Sequence, residues 1–169
     1  MSKEIEKKFL IKELPDNLEN YPFHQIEQGY LNVSPAVRVR RQDDKYIMTY
    51  KGTGALSHDE YNLHIDKTSY EHLIKKADGN IICKKRYLIP LNKDAFDEDF
   101  YQKNKELIDS FNIKIELDVF EKPFEDIILA EVEFPSEEAA KAYRPAAWFK
   151  EDVTGNRSYS NANMSSRNI

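Results

Sequence analysis

The 169-residue sequence contains a single cysteine, Cys83, which excludes an internal disulfide and a multi-cysteine zinc site. It has no apolar run near the ~20 residues of a membrane-spanning helix, and its first ten residues, MSKEIEKKFL, are charged from residue 3. Neither a membrane segment nor a secretory signal is therefore expected. A positive surplus is also lacking: 25 Lys+Arg stand against 30 Asp+Glu, a net charge of −5, which speaks against non-specific nucleic-acid binding. Glycine and proline are sparse (five and seven) and scattered as turn punctuation, so no linker divides the chain. Hydrophobic residues at 40% and aromatics at 12% argue against disorder. The expectation is one soluble, cytoplasmic domain over 1–169, with a C-terminal tail at about 162–169. Charged residues reach 33%, above the roughly 25% usual for globular proteins, so their placement becomes the question.

Most of the chain alternates with a period of two, the strand period. Strands are expected near 3–11, 24–33, 36–42, 46–51, 59–65, 80–89, 113–120 and 127–134. Three helices are expected. One spans 69–78, with Thr68 and Glu71 as a capping box and Gly79 closing it. A second spans 97–111, and a third runs from Ser136 to before Pro145. This predicts a mainly β (α+β) fold, an eight-stranded antiparallel barrel or closed sheet with a few outer helices.

The strands divide polar from apolar residues by parity. Glu4, Glu6 and Lys8 share a face opposite Ile5, Lys7 and Phe9. Arg38 and Arg40 oppose Val37 and Val39, while Thr49 and Lys51 oppose Met48 and Tyr50. Lys84 and Arg86, Glu116 and Asp118, and Glu131 and Glu133 follow the same rule. A solvated sheet face is one explanation. Solvated faces, however, usually mix signs, because like charges on neighbouring strands repel. Here acid pairs (4/6, 116/118, 131/133) are segregated from basic pairs (38/40, 84/86). Clustered carboxylates suit a hard divalent cation, and clustered Arg and Lys suit a phosphate-rich polyanion. Together they describe metal-assisted phosphoryl transfer. With the charges turned inward, an eight-stranded barrel has room for a slim chain such as a triphosphate and little room for a folded macromolecule.

The ordered segments EIEKK (4–8), QGYL (28–31), VRVR (37–40), Lys51, KKRY (84–87), ELDVF (116–120), AEVEF (130–134) and WFKEDVTG (148–155) resemble the CYTH domain, or triphosphate tunnel metalloenzyme, family. The resemblance runs from residue 3 to about Asn161. It implies a barrel enclosing a tunnel and hydrolysis of a triphosphate with Mg²⁺ or Mn²⁺. Carried onto this sequence, it makes Glu4, Glu6, Glu131 and Glu133 metal ligands. It makes Lys8, Arg38, Arg40, Lys51, Lys84, Arg86 and, on the C-terminal segment, Arg157 triphosphate-binding. Glu60, Glu116 and Asp118 become further tunnel carboxylates, grouped with Glu4, Glu6 and Lys8 as catalytic. The implied partner is a small phosphorylated substrate (tripolyphosphate, or a nucleoside or thiamine triphosphate), with no nucleic-acid duplex, no membrane, and a homodimer left open.

The fifth strand departs from the family pattern R-x-E-x-E, reading His58-Asp59-Glu60-Tyr61-Asn62. His58 is read as a bystander, His72 as a surface residue and Cys83 as a small packing residue. Trp148 and Phe149 are expected to pack the closing segment against the barrel. The connection 92–112 could reshape a tunnel mouth or thicken the outer cover, and 162–169 carries no legible chemistry. Alternative functions are a class IV adenylate cyclase, a thiamine triphosphatase and, from another class, a non-catalytic polyphosphate- or nucleotide-binding module.

Overall fold

The alternating segments pair edge to edge until the sheet closes on itself. The structure, a computed structural model, describes residues 2–54 and 56–168. Its strands are β1 (Ser2–Ile11), β2 (Phe23–Val33), β3 (Ala36–Gln42), β4 (Lys45–Lys51), β5 (Ser57–His64), β6 (Asp78–Pro90), β7 (Lys114–Phe120), β8 (Ile128–Glu133) and β9 (Phe149–Asp152). The order β5-β4-β3-β2-β6-β7-β8-β1 is closed by antiparallel pairing of β1 with β5, and β9 adds to β1 outside the ring. The eight expected strands are thus all present and the barrel is closed; β9 was not anticipated.

Two apolar clusters hold this barrel, one outside the ring and one within it. The outward residues Ile5, Phe9, Ile89, Ile115, Leu117, Ala130 and Val132 are buried against α2 (Glu98–Phe111), α3 (Glu137–Ala142) and Phe149. Trp148 packs beside them, its ring centroid 4.7 Å from that of Phe149. The second cluster combines Tyr30, Ile82, Phe120, Leu129 and partly buried Leu10 with Val153 and Met164 of the C-terminal segment. By parity these strand residues share the faces of Lys84, Asp118, Glu131 and Lys8, so the inner faces turn from charged to apolar along the barrel axis. Helix α4 (Asn161–Ser165) brings the fully buried Met164 into that apolar end. The tunnel is stoppered there. The segment 162–168, which carries no legible chemistry in the sequence, therefore contributes packing, and Ile169 lies outside the described residues.

Three further details correct the sequence reading. Helix α1 spans Lys67–Ile74, capped by the Asp66 carboxylate accepting from the Ser69 N–H at 2.7 Å, and Thr68 lies inside its first turn. Gly79 belongs to β6, at φ 70°, where an added Cβ would collide with the Ser165 carbonyl oxygen. Gly79→Ala should therefore cost on the order of 1–3 kcal/mol, measured by urea unfolding, because a left-handed residue gains a side chain with nowhere to go. The helices also leave part of the wall bare: Tyr50, Tyr61 and Leu63 on β4 and β5 are exposed. No described helix is long and apolar enough to cross a membrane.

Gly29 of the QGYL segment shows how tightly the cover sits. A Cβ at this position would stand 2.7 Å from Ala77 Cβ and 2.8 Å from Ile74 Cδ1, so only glycine lets β2 meet the end of α1.

Candidate active site

The inner faces of the strands meet in one cavity of about 810 Å³. β1 contributes Glu4, Glu6 and Lys8, β3 Arg38 and Arg40, and β4 Lys51; β5 contributes His58, Glu60, Asn62 and His64. Arg86, Glu116, Glu131 and Glu133 line the opposite wall, and Arg157 and Asn161 line it from the C-terminal segment. Of the expected site residues, Lys84 and Asp118 alone do not line it. Both are fully buried one step towards the apolar end, where Lys84 Nζ donates to Asp118 at 2.6 Å and to the Asn161 carboxamide oxygen at 3.0 Å. None of residues 92–112 lines the cavity, so that connection thickens the outer cover.

Strand register dictates which charges meet. Arg86 stands opposite Asp118 and grips it with two hydrogen bonds, 2.7 and 2.8 Å, then reaches Glu116 at 3.0 Å and Glu131 at 3.1 Å. Glu116 and Glu131 are themselves directly opposite, so the guanidinium offsets their repulsion. Lys8 Nζ stands 3.5 Å from Glu131 and donates to the Tyr159 carbonyl. Burial opposes ionisation of Glu131, but Lys8 and Arg86 overcome it and hold the carboxyl well below its ordinary range. Asp118 is likewise held low against burial, by Arg86 and then Lys84. Lys84 shares that carboxylate with Arg86, so burial prevails and pushes the ammonium down to about 7.

A second group of acids is less well matched. Glu6 stands opposite Glu133, and Glu4 opposite His58. Lys51 Nζ lies 2.7 Å from Glu4 and 3.6 Å from Glu6, and His58 Nε2 also meets the Glu4 carboxylate. Burial works to raise Glu4, but the hydrogen bond with His58 and the charge of Lys51 outweigh it and hold the group low. Glu6 is instead raised, by burial and by Glu131. Glu133 is pushed up to about 7 by burial and by its neighbours Glu4 and Glu116. In the pH window between its ordinary value of 4.5 and about 7, the folded chain holds a proton here that the unfolded chain has released. Stability is therefore lost as pH rises through that window. Glu133→Gln should raise the Tm of metal-free protein at pH 8 and leave it unchanged near pH 4, read by calorimetry.

On the facing wall the cations outnumber their partners. Arg40 Nε donates to the buried Gln28 carboxamide at 2.8 Å, and Gln28 donates to Asn161 at 3.0 Å. Burial and then Arg38 lower the Arg40 pKa to about 9, which leaves it charged at neutral pH. Arg38 donates to Thr49 at 3.2 Å, Thr49 to Asn62 at 2.6 Å, and Asn62 to Glu60 at 2.7 Å. A neutral relay thus separates Arg38 from the nearest acid on β5. The Arg38 Nε is buried with no hydrogen-bond partner among the described residues. Such an orphan donor beside a cavity suits an anionic oxygen.

Sequence reasoning missed four contributors to the site. His58 is no bystander, since it contacts Glu4; its inward parity with Glu60 was the available signal. Gln28 and Thr49 carry no charge to mark them, and Asn161 lies on a segment without strand periodicity.

The sequence model of the CYTH domain matches residues 2–143. The chain belongs to the CYTH family. It is similar to a curated CYTH relative from Nitrosomonas europaea named inorganic triphosphatase, at 37% identity over 94% of this chain and 93% of that protein. A relative from Acetivibrio thermocellus with the same name is 29% identical over 97% of this chain and 94% of the other. Among solved structures, that of the inorganic triphosphatase NE1496 matches at TM-score 0.65 and 33% identity, covering 99% of this CYTH chain and 97% of the other. A crystal structure titled a putative adenylate cyclase from Bacillus halodurans, at 16% identity and TM-score 0.52, shares the fold.

Proposed function

We propose that this CYTH protein hydrolyses a linear triphosphate, inorganic tripolyphosphate foremost, inside its barrel with a divalent cation, Mg²⁺ or Mn²⁺. The observation that carries the reading is the convergence of Arg38, Arg40, Arg86, Lys8 and Lys51 with six carboxylates around one cavity. The names of the Nitrosomonas and Acetivibrio relatives support it. So does the lining: its single Phe, Trp or Tyr among the described residues is Tyr30, which is 4% exposed and offers no open face for a base.

The acids fit a hard cation. Glu4, Glu6 and Glu133 crowd together with fewer positive partners than charges, as the raised Glu6 and Glu133 attest. Glu131 sits on the same strand as Glu133 and completes the assigned ligand set. A divalent ion bound there supplies Lewis-acid neutralisation of charge growing on phosphoryl oxygens. The remaining work belongs to side chains. Arg38, Arg40 and Lys51, on the adjacent strands β3 and β4, bind the phosphate oxygens from one side, and Arg86 and Lys8 bind them from β6 and β1, with Arg157 at the C-terminal segment. Lys84 and Asp118 position Arg86 from beneath. Glu60 and Glu116 orient a water for in-line attack on a terminal phosphorus, and fixed geometry supplies much of the acceleration. The same reading places the protein in the cytoplasm, apart from membranes and nucleic-acid duplexes.

The test is a hydrolysis panel of tripolyphosphate, ATP and thiamine triphosphate with Mg²⁺ and with Mn²⁺. Tripolyphosphate is expected to turn over fastest. Cyclic AMP from ATP would assign a cyclase, faster turnover of thiamine triphosphate a thiamine triphosphatase, and tight binding without turnover a carrier of polyphosphate.

A further inference from the structure

The contact between His58 and Glu4 belongs to a donor set that the acids alone do not account for. His58 stands directly opposite Glu4 in the β1–β5 pairing, and its imidazole is 5% exposed, so it has little freedom to turn away. Nε2 points at the Glu4 carboxylate, and one imidazole nitrogen of His58, a Glu4 oxygen and a Glu6 oxygen all lie within 4.8 Å of one another. Donors bound to one ion at about 2.0–2.2 Å lie roughly 3–4.4 Å apart, so a small adjustment brings all three onto a single cation. The two acids already attract one cation, the Lys51 ammonium, at 2.7 and 3.6 Å. Among the described residues no other histidine belongs to the group; His64, also on β5, lines the cavity outside it.

We propose that His58 Nε2 is itself a ligand of the cation held by Glu4 and Glu6, making this a mixed nitrogen–oxygen centre. The proposal rests on the cation-binding part of the function given above and not on the reaction. Imidazole is a softer donor than carboxylate and suits later first-row ions, whereas all-oxygen sites suit Mg²⁺. His58 therefore shifts the protein's selectivity from Mg²⁺ towards Co²⁺ and Zn²⁺, while Mn²⁺ binds and reports on its ligands. A ligating imidazole donates the lone pair of the bound ring nitrogen.

The experiment uses the full chain labelled with ¹⁵N-histidine and loaded with Mn²⁺ without substrate. Pulsed electron paramagnetic resonance should detect a directly bound ¹⁵N nucleus in the wild type. The coupling should vanish in His58→Gln and persist in His64→Gln. By calorimetric titration, the preference for Co²⁺ over Mg²⁺ should fall at least tenfold in His58→Gln. His58→Asn serves as second variant if His58→Gln does not fold, and the wild-type coupling depends on neither. Absence of ¹⁵N coupling in the wild type overturns the proposal. So does coupling that survives loss of His58, an unchanged Co²⁺/Mg²⁺ ratio, or Mn²⁺ that stays fully hydrated beside millimolar protein. Hydrolysis of tripolyphosphate persisting alongside any of these outcomes leaves the enzymatic reading standing while removing this one.

Discussion

Glu4→Gln lowers cation-dependent hydrolysis of tripolyphosphate by at least about 100-fold, while the purified variant keeps its fold. A change in an outer partner of a metal ligand already costs 10–100-fold, and Glu4 is proposed to be a ligand itself. The substitution keeps the shape of the side chain and removes its charge, so Lys51 loses an ionic partner at 2.7 Å and the acid group loses a member. Some stability goes with it. The folded Glu4 carboxyl is held below its ordinary value of 4.5, so its contribution is present above that pH and fades as the solution is acidified. A thermal melt at neutral pH should therefore show a modest loss, and one in strong acid none. Activity that survives within twofold would remove Glu4 from the proposed centre.

Asp118→Ala is expected to be the most destabilising change in the tunnel, at about 3–5 kcal/mol. Asp118 is fully buried and accepts from both Lys84 and Arg86; its loss leaves the buried Lys84 without an acidic partner and takes two hydrogen bonds from Arg86, which keeps only Glu116 and Glu131. At about 2–4 °C per kcal/mol for a chain of this size, the Tm should fall by roughly 6–20 °C. Lys84→Met should cost far less, because Asp118 keeps both bonds to Arg86. The folded Asp118 carboxyl is held below its ordinary value of 3.8, so the effect should shrink as pH falls below that point. Equal losses in the two variants would contradict this division of roles.

Parity explains why so much was readable in the sequence. Because a strand sends alternate side chains to opposite faces, EIEKK, VRVR and AEVEF each announce which residues share a side. Segregation of sign then suggested that the shared side was enclosed. Parity says nothing about depth along the barrel axis, however. Lys84 and Arg86 look equivalent in KKRY, yet one is sealed behind Asn161, 77 residues away, and the other lines the cavity. That contact depends on where α4 docks, and no local periodicity encodes it. Helix α1 departs from the expected 69–78 for a simpler reason. Gly79 resembled a helix stop but serves a crowded strand start, and Asp66 was the stronger cap. The role of His58 is not legible in the sequence, because one histidine among four has no pattern of its own until the β1–β5 register sets it against Glu4.

The most direct measurement is ³¹P nuclear magnetic resonance of tripolyphosphate incubated with the protein and Mg²⁺ or Mn²⁺. The expected spectrum shows orthophosphate and pyrophosphate growing in equal molar amounts, with no reaction when EDTA is in excess. Tripolyphosphate left intact for hours with cation present, or consumed at full rate in EDTA, would contradict a charged lumen that works through a bound cation.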